Sequence, residues 1–203
     1  MGKRADDKAS ARKRIIREAS RLLREKGIGG LKVADVMKAA GLTHGAFYAH
    51  FENKDALVEA AFAEALDHRE AWLQSAAKRP AEERLTHLLG TYLTARHRDT
   101  PEKGCAFASL AREFAQAGGP FPETFERELE TSLERLTSLL DEENTNTHAS
   151  RQTAIGLLSL CVGGMVLARA VESDGLSREL LSAAADFRPD AIFPDMPKSG
   201  HKE

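Results

Sequence analysis

The chain has 203 residues, 42% of them hydrophobic and 30% charged, which allows a sizeable core in one or two compact domains and excludes a disordered chain. Residues 1–55 hold 13 Lys/Arg against 7 Asp/Glu, a balance of +6, which leaves −8 of the overall −2 for residues 56–203. A basic head on an acidic body suits a polyanion at one end only, the alternative being a chance cluster on a solvated surface.

The opening "MGKRADDKASARKRII" has no apolar h-region, so no secretory signal is expected. The two cysteines, Cys105 and Cys161, have no CxxC or Cys/His ligand spacing. They fit a reducing cytoplasm better than a disulfide scaffold, and neither a metal site nor a cofactor is expected. The longest apolar run, Ala154 to Ala168, has 15 residues, short of the roughly 20 of a spanning helix. It predicts a deeply buried helix and no membrane span.

No period-2 alternation persists, and helical periodicity runs throughout, so the fold class is all-α. Ile15, Ile16, Ala19, Leu22 and Leu23 share one face of a first helix, with Ser10 as its expected cap and a stop at Gly27 in "GIGG". Val33, Val36, Met37 and Ala40 line a short second helix that ends at Gly41. A third, from an N-cap at Thr43 to about Phe51, comes after "AGLT". Two short helices joined in this way form a helix-turn-helix pattern, and neither is stable without its neighbours.

From Gly41 to Phe51 there is no acidic residue. Phe47 and Phe51, four apart, can bury together. That leaves His44, Gly45, Tyr48, Ala49 and His50 on or near the other side. A helix in the major groove lies between two phosphate rows, which repel carboxylates. Its capped amino end offers N–H groups to an anion, and Gly45 lets the backbone approach. Tyr48 and the histidines can bond phosphates or base edges, and Lys54 reaches the same backbone. The plainer alternative makes these aromatics the core of a small helical domain, a reading that fits Phe47 and Phe51.

The stretch "AAGLTHGAFYAHFENK", Ala39 to Lys54, resembles the DNA-binding segment of the TetR family of bacterial transcriptional regulators, and the likeness extends over about Arg12 to Phe62. The resemblance implies a DNA-binding head at residues 1–54, a ligand-binding and dimerising helical body at 55–188, and a palindromic double-stranded operator. Thr43 falls where family members touch phosphate and His44 where a base-reading side chain often sits. Gly45, Tyr48, His50 and Lys54 match common contact positions. Two positions depart from the pattern. Lys32 stands where a threonine usually opens the second helix, and it caps poorly though it reaches phosphate. Ala49 stands where a second aromatic is frequent, so a contact there is small, such as one to a thymine methyl.

In the body, helices are expected over Lys54–Lys78, Ala81–His97, Gly104–Gln116, the segment from Phe121 to the Asn/Thr loop, Thr147–Glu172 and Leu176–Phe187, with a loose tail at 189–203. Phe62, Trp72, Tyr92, Phe107, Phe114 and Phe125, with Leu88, Cys105, Leu110 and Ala111, are candidates for a pocket taking an apolar or aromatic effector; aromatic stripes of this spacing more often make core. Gly156, Gly163 and Gly164 permit close approach in the apolar helix. With Leu160, Leu167, Leu180 and Ala184 they are the candidate interface of a homodimer, a four-helix pairing that the resemblance also implies. Cys105, near a helix start, is either a packing residue or, as in certain family members with a similar "GC…L..E" segment, an electrophile or redox sensor. A small helical enzyme is the competing class, and the chain has no nucleophile–base pair or phosphate loop to favour it.

Overall fold

The computed structural model describes residues 3–141 and 147–187. Among these there are ten α-helices, two 3₁₀ helices and no strand. The expected tail at 189–203 and the Asn/Thr loop lie outside the described residues. The chain forms two compact units, Met1–Ala71 with Asp99–Glu130, and Trp72–Arg98 with Thr131–Glu203. This grouping differs from the expected division at residue 54, because residues 55–71 and 99–130 pack with the head.

In the first unit α1 runs Lys3–Gly30. Ile15, Ala19 and Leu23 are fully buried on the face the periodicity marks. The helix starts well before Ser10, so Ser10 is not its cap; its hydroxyl accepts a 3.4 Å bond from Arg14 Nη1. Gly27 breaks the regular winding with φ 71°, in the left-handed region. α2, Val33–Ala39, has Lys32 at its N-cap without a side-chain capping bond. Its end is a Schellman motif: Gly41, at φ 72°, donates to Lys38 O at 3.1 Å, and Leu42 N–H donates to Met37 O at 2.9 Å.

The expected short third helix is of the 3₁₀ type and spans His44–Ala49. Thr43 stands at its cap position but makes no side-chain bond. Ala46 N–H bonds back to Thr43 O at 3.1 Å, so the tighter winding takes one N–H group of the expected anion site into the helix itself. Phe47 and Phe51 stack at 5.8 Å, both buried, and the Arg12 guanidinium lies 4.8 Å over the Phe51 ring.

α3, Lys54–Leu66, is capped by Asn53, whose Oδ1 accepts from Ala56 N–H at 2.8 Å. The expected continuous helix to Lys78 changes at Asp67, where the bonding tightens. Asp67 N–H donates to Glu64 O at 3.2 Å and Glu70 N–H to Asp67 O at 3.1 Å, before α4, His68–Ala77. A second 3₁₀ helix, Pro101–Lys103, divides the chain's middle. Before it come α5, Ala81–Tyr92, and α6, Ala95–Asp99; after it come α7, Ala106–Ala117, and α8, Phe121–Leu140. The expected single helix Ala81–His97 is thus two, broken at Leu93 (ψ 64°), with Thr94 Oγ1 accepting from His97 N–H at 3.1 Å. The first unit's core is a set of rings from α3, α7 and α8. Phe62 lies 4.2 Å from Phe114, 5.9 Å from Phe107 and 5.8 Å from Phe125.

The second unit holds α5, α6, α9 (Thr147–Ala170) and α10 (Asp174–Ala185). Arg169 Nη2 donates to His97 O at 2.8 Å and its Nε to Arg98 O at 3.1 Å, tying α9 to the end of α6. Arg98 in turn reaches Ser177 Oγ at 2.7 Å and Asp174 Oδ1 at 3.0 Å on α10. Burial lowers the pKa of His97 against the opposing pull of Tyr92 O, and Arg169 lowers it further. By length and composition, His148–Ala170 is apolar enough to cross a membrane, unlike the shorter run read from the sequence. In this fold Ala154, Leu157, Leu158, Cys161, Met165 and Ala168 bury one side of it.

Candidate functional site

The helix-turn-helix presents one exposed ridge. Thr43, His44, Gly45, Tyr48 and Ala49 are all exposed on the 3₁₀ helix and its cap, and Tyr48 is 71% exposed. Lys32 is exposed at the start of α2. The two buried rings beneath hold the ridge from behind, since Phe47 also meets Tyr48 edge-on at 5.2 Å. Three-residue winding lines Gly45 up with Tyr48, so a side chain with a phenol stands beside bare backbone.

His50 closes the ridge at its carboxyl end, half-buried, with Nδ1 unbonded. Burial lowers its pKa, and Lys8 and Arg12 of α1 lower it further. A cationic cluster therefore gathers beside the ridge. Lys54 is only partly available. Its Nζ donates to Ile28 O at 2.8 Å, which leaves the other ammonium hydrogens for a phosphate.

The residues expected to line one pocket fall into two groups. Phe62, Cys105, Phe107, Leu110, Ala111, Phe114 and Phe125 belong to the first unit, and Trp72, Leu88 and Tyr92 to the second. Phe62 and Phe114 are fully buried against other rings and are core, whereas Phe125 is half-buried at the edge of the cluster. In the second unit Trp72 Nε1 donates to Leu88 O at 3.2 Å, and its ring lies 5.6 Å from Tyr92. Cys105 is half-buried at the N-cap of α7 and makes no side-chain capping bond. It is close enough to the buried guanidinium of Arg24 to act on it electrostatically, with burial the larger influence lowering the Arg24 pKa.

Of the expected interface residues, Gly164 faces inward. A Cβ there would meet Ala184 Cβ and Leu93 Cδ2 of the same chain at 3.1 Å, so Gly164 is buried in an internal contact with half-buried Ala184. Gly156 and Leu167 are exposed, and Leu160, Gly163 and Leu180 half-buried. With exposed Ile155 and Val166, the α9 residues among them make an apolar stripe, while Leu180 and exposed Leu176 belong to α10. Sequence reasoning missed Asn53, Arg24 and Glu113. Asn53 before "KDAL" carries a legible cap signal; the other two act through partners 41 to 85 positions away, which no local pattern displays.

An acid-free ridge on a helix-turn-helix, with cations gathered at its edge, defines a DNA-binding protein. The family model "Bacterial regulatory proteins, tetR family" matches residues 15–61, which run from the middle of α1 into α3. A TetR transcriptional regulator from Chloroflexus aurantiacus J-10-FL superposes with a TM-score of 0.72 at 19% identity, covering 94% of this chain and 97% of that one. A TetR-family regulator from Cytophaga hutchinsonii gives 0.71 at 21% identity, over 86% and 91%. The transcriptional regulator FadR from Bacillus subtilis, in complex with stearoyl-CoA, gives 0.59 at 18% identity, over 86% and 97%. At these identities the structures share the fold. A comparison with curated proteins finds no match. Residues 15–61 thus carry the DNA-binding segment of the tetR family, and the chain as a whole shares the fold of solved TetR-family regulators.

Proposed function

We propose that this regulator is a homodimeric repressor that reads a palindromic operator and is released by an apolar or aromatic small molecule. The carrying observation is the exposed, acid-free ridge of Thr43, His44, Gly45, Tyr48 and Ala49, flanked by Lys32, His50 and Lys54. Residues 1–54 act as the reading head and 55–188 as the body. Selection from a random pool of duplex DNA, followed by gel shift, tests it, and a chain that enriches no sequence overturns it. His44→Ala should shift the preferred bases at a cost of roughly 1–3 kcal/mol. Lys54→Ala should weaken selected and scrambled DNA alike. A His44→Ala protein with unchanged base preference removes His44 from the reading surface.

The dimer reading rests on α9, whose outer stripe of Ile155, Gly156, Val166 and Leu167, beside half-buried Gly163, is apolar and exposed among the described residues. A second copy burying this stripe gives a symmetric, self-complementary contact. Leu167, 55% exposed, is the substitution of choice because it carries little of its own chain's core. Leu167→Asp should yield folded monomers in sedimentation at micromolar protein, with operator affinity lost. A variant that sediments as the wild type does places the interface elsewhere.

For the effector, the ring cluster of the first unit is the favoured host, entered at half-buried Phe125. That the Bacillus subtilis FadR holds stearoyl-CoA supports an apolar class of effector. The second reading, an electrophile reacting at Cys105, is favoured by the partial exposure of this thiol beside Gly104, whose carbonyl accepts from Arg24 Nη1 at 3.4 Å. Cys105→Ser separates the two. It should abolish release of DNA by N-ethylmaleimide if the thiol is the trigger, and leave that release unchanged if it is not.

A further inference from the structure

The carboxyl end of α1 is gripped by side chains and backbone of two other helices. Ile28 N–H donates to Glu113 Oε2 of α7 at 2.6 Å, across 85 positions of sequence. Ile28 C=O accepts from Lys54 Nζ of α3 at 2.8 Å. Both backbone polar groups of one residue are thus held by ionic side chains from two different helices. One turn earlier, Arg24 Nη1 donates to Ala65 O at 3.1 Å near the end of α3, and to Gly104 O at 3.4 Å just before α7. The break itself is shaped for the carboxylate. Gly27 has φ 71°, and any Cβ there would fall on the Glu113 carboxylate. Glycine at 27 therefore serves two ends, a left-handed backbone and room for an acid from α7.

The reading apparatus lies immediately beyond this grip. Leu31, buried, and Lys32 lead directly into α2, and α2 leads to the ridge. On the α7 side the grip adjoins the core, because Glu113 neighbours Phe114, the ring 4.2 Å from Phe62. A hydrogen bond from a backbone N–H to an ionised carboxylate is short and about twice as strong as a neutral one. It also tolerates little displacement.

We propose that Glu113 is a positioning residue for DNA binding. It fixes the direction in which α1 hands the chain to α2, so the position of α7 sets the pose of the reading ridge. A displacement of α7 along its axis breaks the Ile28–Glu113 bond and frees α2 and the ridge to turn about Gly27 relative to α1. This role rests on the proposed dimeric DNA-binding function, since the pose of a head matters most when two must fit one operator.

The test uses the full-length protein and an operator selected by the wild type from a random duplex pool. A series of operators then moves the two half-sites apart by one or two base pairs. The wild type should lose about tenfold or more in affinity per step, the worth of roughly one good contact. Glu113→Ala should lose less than about threefold, because a loosened head adapts to the new spacing. Its affinity for a single half-site and its salt dependence should stay those of the wild type. Glu113→Gln, which keeps an acceptor oxygen, should recover most of the spacing preference. Hydrogen exchange in the DNA-free protein gives a second readout: Ile28 N–H should exchange faster in Glu113→Ala while the Ala61 and Phe62 amides of α3 do not. A wild type that selects no DNA overturns the proposed function and this role with it. A sharp spacing profile retained by Glu113→Ala, with Ile28 exchange unchanged, overturns this role alone.

Discussion

Operator affinity should fall by about 10³–10⁵ when salt rises from about 50 to about 200 mM, the loss expected from neutralising roughly six to ten phosphates. Two heads supply that number of contacts. Each brings Lys32 at the start of α2 and the spare hydrogens of Lys54, and α1 adds exposed Lys8, Arg12 and Lys13. The Arg12 guanidinium, 4.8 Å over the Phe51 ring, stands beside the ridge, and Lys8 lies about one turn earlier on α1. Each phosphate neutralised releases condensed counterions, so log affinity should decline linearly with log salt at about −0.9 per contact. Titrations at four salt concentrations measure the slope. A response shallower than about −3 would mean that α1 lies away from the duplex and that the ridge alone touches it.

The ridge was legible in the sequence because its signal is local: eleven residues without an acid, two phenylalanines four apart, a glycine where backbone approaches. Helix faces were equally plain, since Ile15, Ala19 and Leu23 repeat at helical spacing and are fully buried. Ends and breaks were less so. Thr43 looks like a cap, yet the tighter 3₁₀ winding uses the Ala46 N–H within the backbone, so the hydroxyl makes no capping bond. Asp67 carries no breaker signal, yet its N–H bonds to Glu64 O three residues back. Gly164 reads the same for a contact with α10 as for one with a copy, because a missing side chain says only that something comes close. The pocket residues were the hardest to assign. Periodicity marks Phe62, Trp72, Tyr92 and Phe114 alike as inward-facing, but it carries no information on which rings share a unit.

Phe114→Ala should destabilise the first unit by about 3–5 kcal/mol, the usual cost of deleting a buried ring. Phe114 is fully buried, 4.2 Å from Phe62, 5.5 Å from Phe121 and 6.0 Å from Phe125, so its removal leaves a void lined by three other rings. Whole-protein stability of about 5–15 kcal/mol makes that a large share. The loss should reach DNA binding as well, since α1 and α7 belong to one unit and Glu113 is the neighbouring residue on α7. Urea titration followed by circular dichroism reads the first effect and gel shift the second. The void also has a chemical use. An apolar cavity of this kind stays dry and takes small aromatic molecules, so benzene or indole should restore part of the lost stability in the variant and little in the wild type. If the effector enters by displacing half-buried Phe125 from Phe62, the same small aromatics should reduce operator affinity in the variant, because a ligand that favours the DNA-free form must weaken DNA binding by the factor that DNA weakens it. A stability loss below about 1 kcal/mol would show that the rings are loosely packed. Recovery of stability by indole without any change in operator affinity would instead separate the ring cluster from the signal and move the effector to the Trp72 and Tyr92 side of the chain.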